Sequence, residues 1–203
     1  MKKILSICFL ILMISFVFGQ DMVNPYLSKE KPIDTRPRNY FGLSTGINNM
    51  VGLLGVQLDI GILRNVSIGG GAGLSSWGFK YSGNLRVSSK GSYGFTFKTG
   101  YSHNTGLEDF ETELEVSSGA TKPILMDLKP MDNIFFTLGW AWKIGKRNRM
   151  YVEGGYAIPL TTEDYYTLHD QIMLSETSKD VMQVLRPGGL IIAFGVNFAL
   201  SSF

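Results

Sequence analysis

The sequence predicts an all-β fold, an eight-stranded antiparallel up-and-down transmembrane β-barrel, and three observations carry that prediction. From Asn39 onward apolar residues recur with a period of two, the signature of strands with two unlike faces. The long connections gather at one end of those strands. The charged residues within the strands share one face with many of the glycines. A chain of 203 residues suffices for one such domain, and nothing in it repeats at the period of a solenoid or a propeller.

Two segments precede the strands. Residues 1–19 open with Lys2 and Lys3, continue through an apolar stretch from Ile4 to Phe18, and place Val17 and Gly19 where a signal peptidase accepts small side chains. They are expected to be a cleaved signal peptide, leaving Gln20 as the mature N-terminus, 20–38 as an N-terminal periplasmic segment and 39–203 as the barrel. Cys8, the one cysteine, would leave with the signal peptide. The mature chain then lacks a thiol, which suits an oxidising compartment and excludes disulfides, cysteine zinc sites and a cysteine nucleophile. After the N-terminus no apolar run approaches the roughly 20 residues of a spanning helix, and a closed barrel is the other structure that satisfies its backbone in lipid. A net charge of +2 with scattered Lys and Arg provides no basic stripe for nucleic acid.

Strands are expected near 39–48, 52–63, 66–75, 77–88, 92–103, 133–145, 149–160 and 189–202. In the second, Leu54, Val56, Leu58, Ile60 and Ile62 alternate with Gly55, Gln57, Asp59 and Gly61. In the last, Leu190, Ile192, Phe194, Val196, Phe198 and Leu200 alternate with small or polar residues, Ile191 being the exception. A break in parity between Leu74 and Trp77 places a tight turn at Ser75 and Ser76. Connections after the second, fourth and sixth strands are brief, whereas 104–131 and 161–188, after the fifth and seventh, are long and lie on the same side. Transmembrane barrels pair short periplasmic turns with longer outer loops in this way.

The faces follow from parity. Gly42, Gly46, Gly55, Gly61, Gly69, Gly71, Gly73, Gly100, Gly139, Gly155 and Gly195 fall together with Ser44, Ser67 and Ser82 on a face expected to line a narrow interior. Asp59, Lys80, Arg86, Lys98, Lys143 and Glu153 share it, forming a candidate lumen charge network. A Lys or Arg at mid-membrane on the lipid side costs about 2–4 kcal/mol, so energetics select the same face as parity. Phe79, Tyr81, Phe95, Phe97, Phe136, Leu138, Trp140 and Trp142 then point outward. Tyr93, Trp142 and Phe198 at one end, with Trp77 and Tyr101 at the other, are placed as interfacial aromatic girdles.

The signal peptide, the eight alternating segments, the loop asymmetry and the terminal Phe203 together resemble the small outer-membrane barrels of the OmpA/OmpX type. The resemblance spans Asn39 to the end of the chain, although Phe203 keeps register with Ser201 and Ala199 where that family's final Phe joins the apolar face. It implies a location in the outer membrane of a Gram-negative envelope, with outer-membrane lipid, lipopolysaccharide and the assembly machinery as partners.

Little in the sequence carries chemistry. His103 ends the fifth strand, and His169 lies beside Asp170 in the last long loop, with Asp164 and Ser175 the nearest candidates for a catalytic group. Neighbours on one loop are not a nucleophile, base and orienter in working geometry. No catalytic, cofactor or metal residue is assigned. Phe110, Thr112, Leu114 and Val116 alternate with Glu111, Glu113 and Glu115, so a projecting hairpin with an acidic face is expected. Val181, Met182, Val184 and Leu185 suggest a short helix stopped by Pro187 and Gly188. The expected function is a non-enzymatic barrel, structural or interaction-mediating through its two long loops. A narrow porin-like channel is the alternative, ahead of a barrel enzyme acting on lipid or a soluble lipocalin-like binder.

Overall fold

The computed structural model describes residues 37–91, 93–145, 147–161, 164–169 and 172–202. The expected signal peptide, residues 20–36, Cys8, Asp170 and Phe203 lie outside the described residues.

Eight strands close into an antiparallel barrel: β1 (Pro37–Ile47), β2 (Leu54–Gly61), β3 (Val66–Ser75), β4 (Gly78–Lys90), β5 (Tyr93–Asn104), β8 (Met131–Ile144), β9 (Asn148–Pro159) and β11 (Gly189–Ser202). Each pairs with its successor around the barrel, and β1 closes the ring on β11 through pairs such as Leu43 with Val196. The eight expected strands are all present, with ends displaced by a few residues. The turn between β3 and β4 differs. Ser75 pairs with Gly78, so Ser76 and Trp77 form the turn, one residue later than parity alone suggested.

Polarity is reversed relative to a water-soluble barrel. On β2, Leu54, Val56, Leu58 and Ile60 are exposed while Gln57 and Asp59 are buried. Phe79, Phe95, Phe136, Leu138, Trp140, Trp142, Phe194 and Phe198 are likewise exposed, and most inward positions are small or polar. The glycines make room for larger neighbours. A Cβ on Gly195 would strike the ring of Tyr151, and one on Gly71 would strike Val51. Ile191, the exception in the alternation of β11, is buried inside with Phe135, Ala157 and Ala193.

The two long connections fold together above one end of the barrel. The first forms a hairpin, β6 (Leu107–Glu115) and β7 (Thr121–Leu128); the second adds a short edge strand, β10 (Tyr166–Leu168), and a helix, α1 (Glu176–Leu185). The expected hairpin and helix are therefore both present. Strands β7 and β10, which the sequence reading left within loops, are additional. Pro123 falls within β7 but beyond the reach of β10, whose pairs extend only from Met126 to Leu128. Its missing N–H thus interrupts no pairing with β10. Alternate residues of the hairpin, Leu114, Val116, Ile124, Met126 and Leu128, build a core with Leu174 and Met182. Trp77 belongs to that core. It is 1% exposed, and its indole N–H donates to Lys129 O at 2.9 Å. The expected girdle position of Trp77 is thereby corrected: the turn shift turns the ring into the cap, while Tyr101, Trp142 and Phe198 do lie exposed on the outside.

Candidate functional site: a buried charge network in the lumen beneath a folded cap

The lumen is crossed by two ion-paired groups supplied by four strands. Asp59 on β2 accepts from Arg149 Nη2 on β9, and Arg86 Nη1 on β4 lies 3.8 Å from the same carboxylate oxygen. Lys98 Nζ on β5 lies 2.7 Å from Glu153 Oε2 on β9. All five side chains are almost wholly buried. Charges so placed persist only when paired and hydrogen-bonded, and the surroundings supply further partners. Arg86 Nε donates to Ser67 Oγ at 3.1 Å. Asn197, its amide oxygen turned to the guanidinium, accepts from Arg149 Nε at 2.9 Å and Nη2 at 2.8 Å. Arg149 also stacks over Tyr40 at 4.0 Å, and Lys98 over Tyr151 at 4.4 Å, in cation–π geometry.

Of the six charged residues expected in the lumen, five are buried there: Asp59, Lys80, Arg86, Lys98 and Glu153. The structure brings Asp59 to Arg86 and Glu153 to Lys98. Lys80 stands apart near the cap, its ammonium 3.4 Å from Asn48 O. Lys143 corrects the expectation. It is exposed, because parity sets only the face, and Lys143 lies beyond the last pair that β8 makes with β5, Gly94 with Ala141. Its ladder partner is Arg149, which sequence reasoning omitted and which proves to be the main partner of Asp59. The signal was available: Arg149 shares parity with Glu153 four residues on.

A second closure comes from the β1–β2 connection. Rather than arching outward, residues 48–52 fold into the barrel, with Asn49, Met50 and Val51 fully buried. Asn49 Nδ2 donates to Ser44 Oγ at 2.5 Å, and Met50 and Val51 pack with Phe135, Ala157, Ile191 and Ala193. Gly52, at φ +88°, reverses the chain, and an added Cβ there would meet the Leu74 carbonyl. Gly71 and Gly73 leave the space that Val51 and its carbonyl occupy.

In the cap, the histidine cluster differs from the one the sequence suggested. His169 Nε2 lies 2.9 Å from Asp127 Oδ1, and its Nδ1 is 3.9 Å from Asp109 Oδ1. Asp109 N also donates to Asp127 Oδ1 at 3.0 Å, and this bond, assisted by His169, holds the Asp127 carboxyl below the usual carboxylate range. Ser175, considered as a nucleophile, caps α1 instead: its Oγ accepts from Ser178 N. Ser178 in turn ties the helix to β6, donating to Glu115 O at 2.9 Å and accepting from Glu115 N at 3.0 Å. The acidic side chains of β6 face away from the cap core, and Glu111 and Glu113 are exposed.

No protein-family model matches the chain, and no curated protein matches it.

Proposed function

We propose that the chain is an outer-membrane β-barrel, comparable to the OmpA/OmpX type, whose lumen is kept shut and whose folded cap is the part that meets other molecules outside the cell. The observation that supports this most is the reversed polarity of a closed barrel. Its outward faces are apolar around the ring, while Asp59, Arg86, Lys98, Arg149 and Glu153 are enclosed. In water such a surface would be an aggregation hazard; in a bilayer it is the expected lipid-facing band. The ion pairs and the inward-folded connection favour a closed structural barrel over a channel. The cap, with its own core and an exposed acidic strand, is a folded platform for binding rather than a pair of loose loops.

Fractionation and labelling test the proposal. The protein should be recovered with outer membranes, require detergent for extraction and change gel mobility on boiling. Cysteine at Ser118, in the β6–β7 turn, should react with an impermeant reagent on intact cells, whereas cysteine at Arg147, in the β8–β9 turn, should not. Recovery as a detergent-independent periplasmic protein would sink the membrane assignment, and the opposite labelling pattern would invert the barrel.

A further inference from the structure

Close to the cap, a cluster of polar side chains interrupts the outward apolar surface. Tyr81 on β4, His103 on β5 and Asp132 on β8 occupy a single cross-strand row, Tyr81 pairing with His103 and His103 with Asp132. His103 Nδ1 is 2.6 Å from Asp132 Oδ1, and the Tyr101 hydroxyl donates to that same oxygen at 2.5 Å. Tyr81 lies against the His103 ring, with centroids 4.9 Å apart. The cluster faces out of the barrel: Tyr81 and Tyr101 are exposed, and the His103 and Asp132 side chains keep 24% and 38% of their surface.

This arrangement has a defined chemistry. A carboxylate only accepts, so Nδ1 of His103 carries a proton toward Asp132, and Nε2 is the ring's remaining polar atom. Both donors use Asp132 Oδ1, which leaves Oδ2 for a ligand. The result is a carboxylate oxygen and a ring nitrogen beside two tyrosine rings. Phe79 is exposed one outward position further along β4. A carboxylate facing hydrocarbon is costly, and ionisable groups held at the margin of an apolar belt imply a polar partner at that level. The carboxylate oxygen calls for a hydrogen-bond donor, the ring nitrogen beside it for a neighbouring polar group, and the aromatic surface for an apolar face next to them. A pyranose ring offers both: neighbouring hydroxyls and a face of C–H groups.

From this geometry we infer that Tyr81, Tyr101, His103 and Asp132 form a lateral binding site for the sugar headgroup of a membrane glycolipid. One hydroxyl of that sugar donates to Asp132 Oδ2, a neighbouring hydroxyl shares a hydrogen bond with His103 Nε2, and its ring rests on the tyrosines. The inference depends on the membrane assignment proposed above, and the experiment separates the two.

Purified protein is first floated with phosphatidylcholine vesicles, which tests the membrane assignment alone. It is then reconstituted in phosphatidylcholine containing equal amounts of a monohexosyl diacylglycerol and phosphatidylethanolamine, and the lipids it retains are counted by native mass spectrometry. The unmodified protein should retain the glycolipid over both other lipids. Asp132→Ala and His103→Phe should each reduce that preference about tenfold, the size expected for loss of a hydrogen bond to a charged group, whereas Tyr156→Ala, elsewhere on the outer surface, should leave it intact. Flotation without any lipid preference in the unmodified protein overturns the sugar site while leaving the membrane assignment standing. Preference for phosphatidylethanolamine overturns it in favour of an amine headgroup. Failure to float overturns both. Because the preference of the unmodified protein decides the matter alone, a variant that does not fold cannot mask the outcome.

Discussion

A single buried carboxylate shows why the lumen is an all-or-nothing arrangement. Glu153 faces Lys98 at 2.7 Å in a site with almost no solvent access. Truncating one partner leaves the other charged and desolvated, so Glu153→Ala is expected to destabilise the barrel by about 3–5 kcal/mol, read as a shift in the urea unfolding midpoint in micelles. Replacing both partners, Lys98→Met with Glu153→Leu, should recover most of that loss, because the pair's Coulomb gain is largely offset by desolvation. Arg149 and Lys143 form a sharper contrast, since they are ladder partners with opposite fates. Arg149→Ala leaves the buried Asp59 with only the more distant Arg86 and should cost several kcal/mol, whereas the exposed Lys143→Ala should stay within about 0.5 kcal/mol. Equal effects at the two positions would contradict the placement of Arg149 as the main partner of Asp59.

At the scale of elements, the cap is held by packing that spans distant parts of the chain. Strand β6 belongs to the first long connection and α1 to the second, and Trp77 comes from a short turn on the barrel itself. Removing a large buried aromatic costs about 3–5 kcal/mol, which exceeds what a small three-stranded sheet with one helix can be expected to spare. Trp77→Ala should therefore open the cap while sparing the barrel. Limited proteolysis would cut within 104–131 and 161–188, and the heat-sensitive gel mobility of the barrel would persist. The helix was legible because its apolar spacing and its stop signal are local. Strand β10 was not, because three residues carry no periodicity and exist as a strand only through β7.

For the molecule as a whole, two closures act in series. Residues 48–52 fill the end beneath the cap, and the Asp59, Arg86, Arg149 and Lys98, Glu153 groups cross the interior below. Planar-bilayer recording should accordingly find no steady conductance from the unmodified protein. A chain in which residues 49–51 are replaced by a shorter glycine turn should also remain silent, since the ion-paired groups are untouched. Well-defined conductance from the unmodified protein would refute the closed barrel and favour the channel.

The sequence by itself determined the architecture and its polarity. A period of two is a local property, each strand declares its two faces, and charges can be assigned to the inside because the energetic cost of the alternative is large. Asp59, Lys80, Arg86, Lys98 and Glu153 were placed on that basis and are buried as expected. Tertiary structure decided what parity leaves open, namely how far along the barrel each residue sits and whom it meets. Lys143 and Arg149 have the same facing and each sits one residue from a strand end, but the stagger of the strands leaves Lys143 beyond the last pair of β8 with β5, whereas Arg149 is paired with Asn197 on β11 and set against Asp59. The same holds for Trp77, whose one-residue shift into a turn moves it from the outer surface to the core of the cap. It also holds for Asn49, Met50 and Val51, whose descent into the barrel depends on space left by glycines of β2 and β3. Facing is encoded within a strand, whereas depth, stagger and the filling of space are set between strands. Only the closed barrel brings the latter into being.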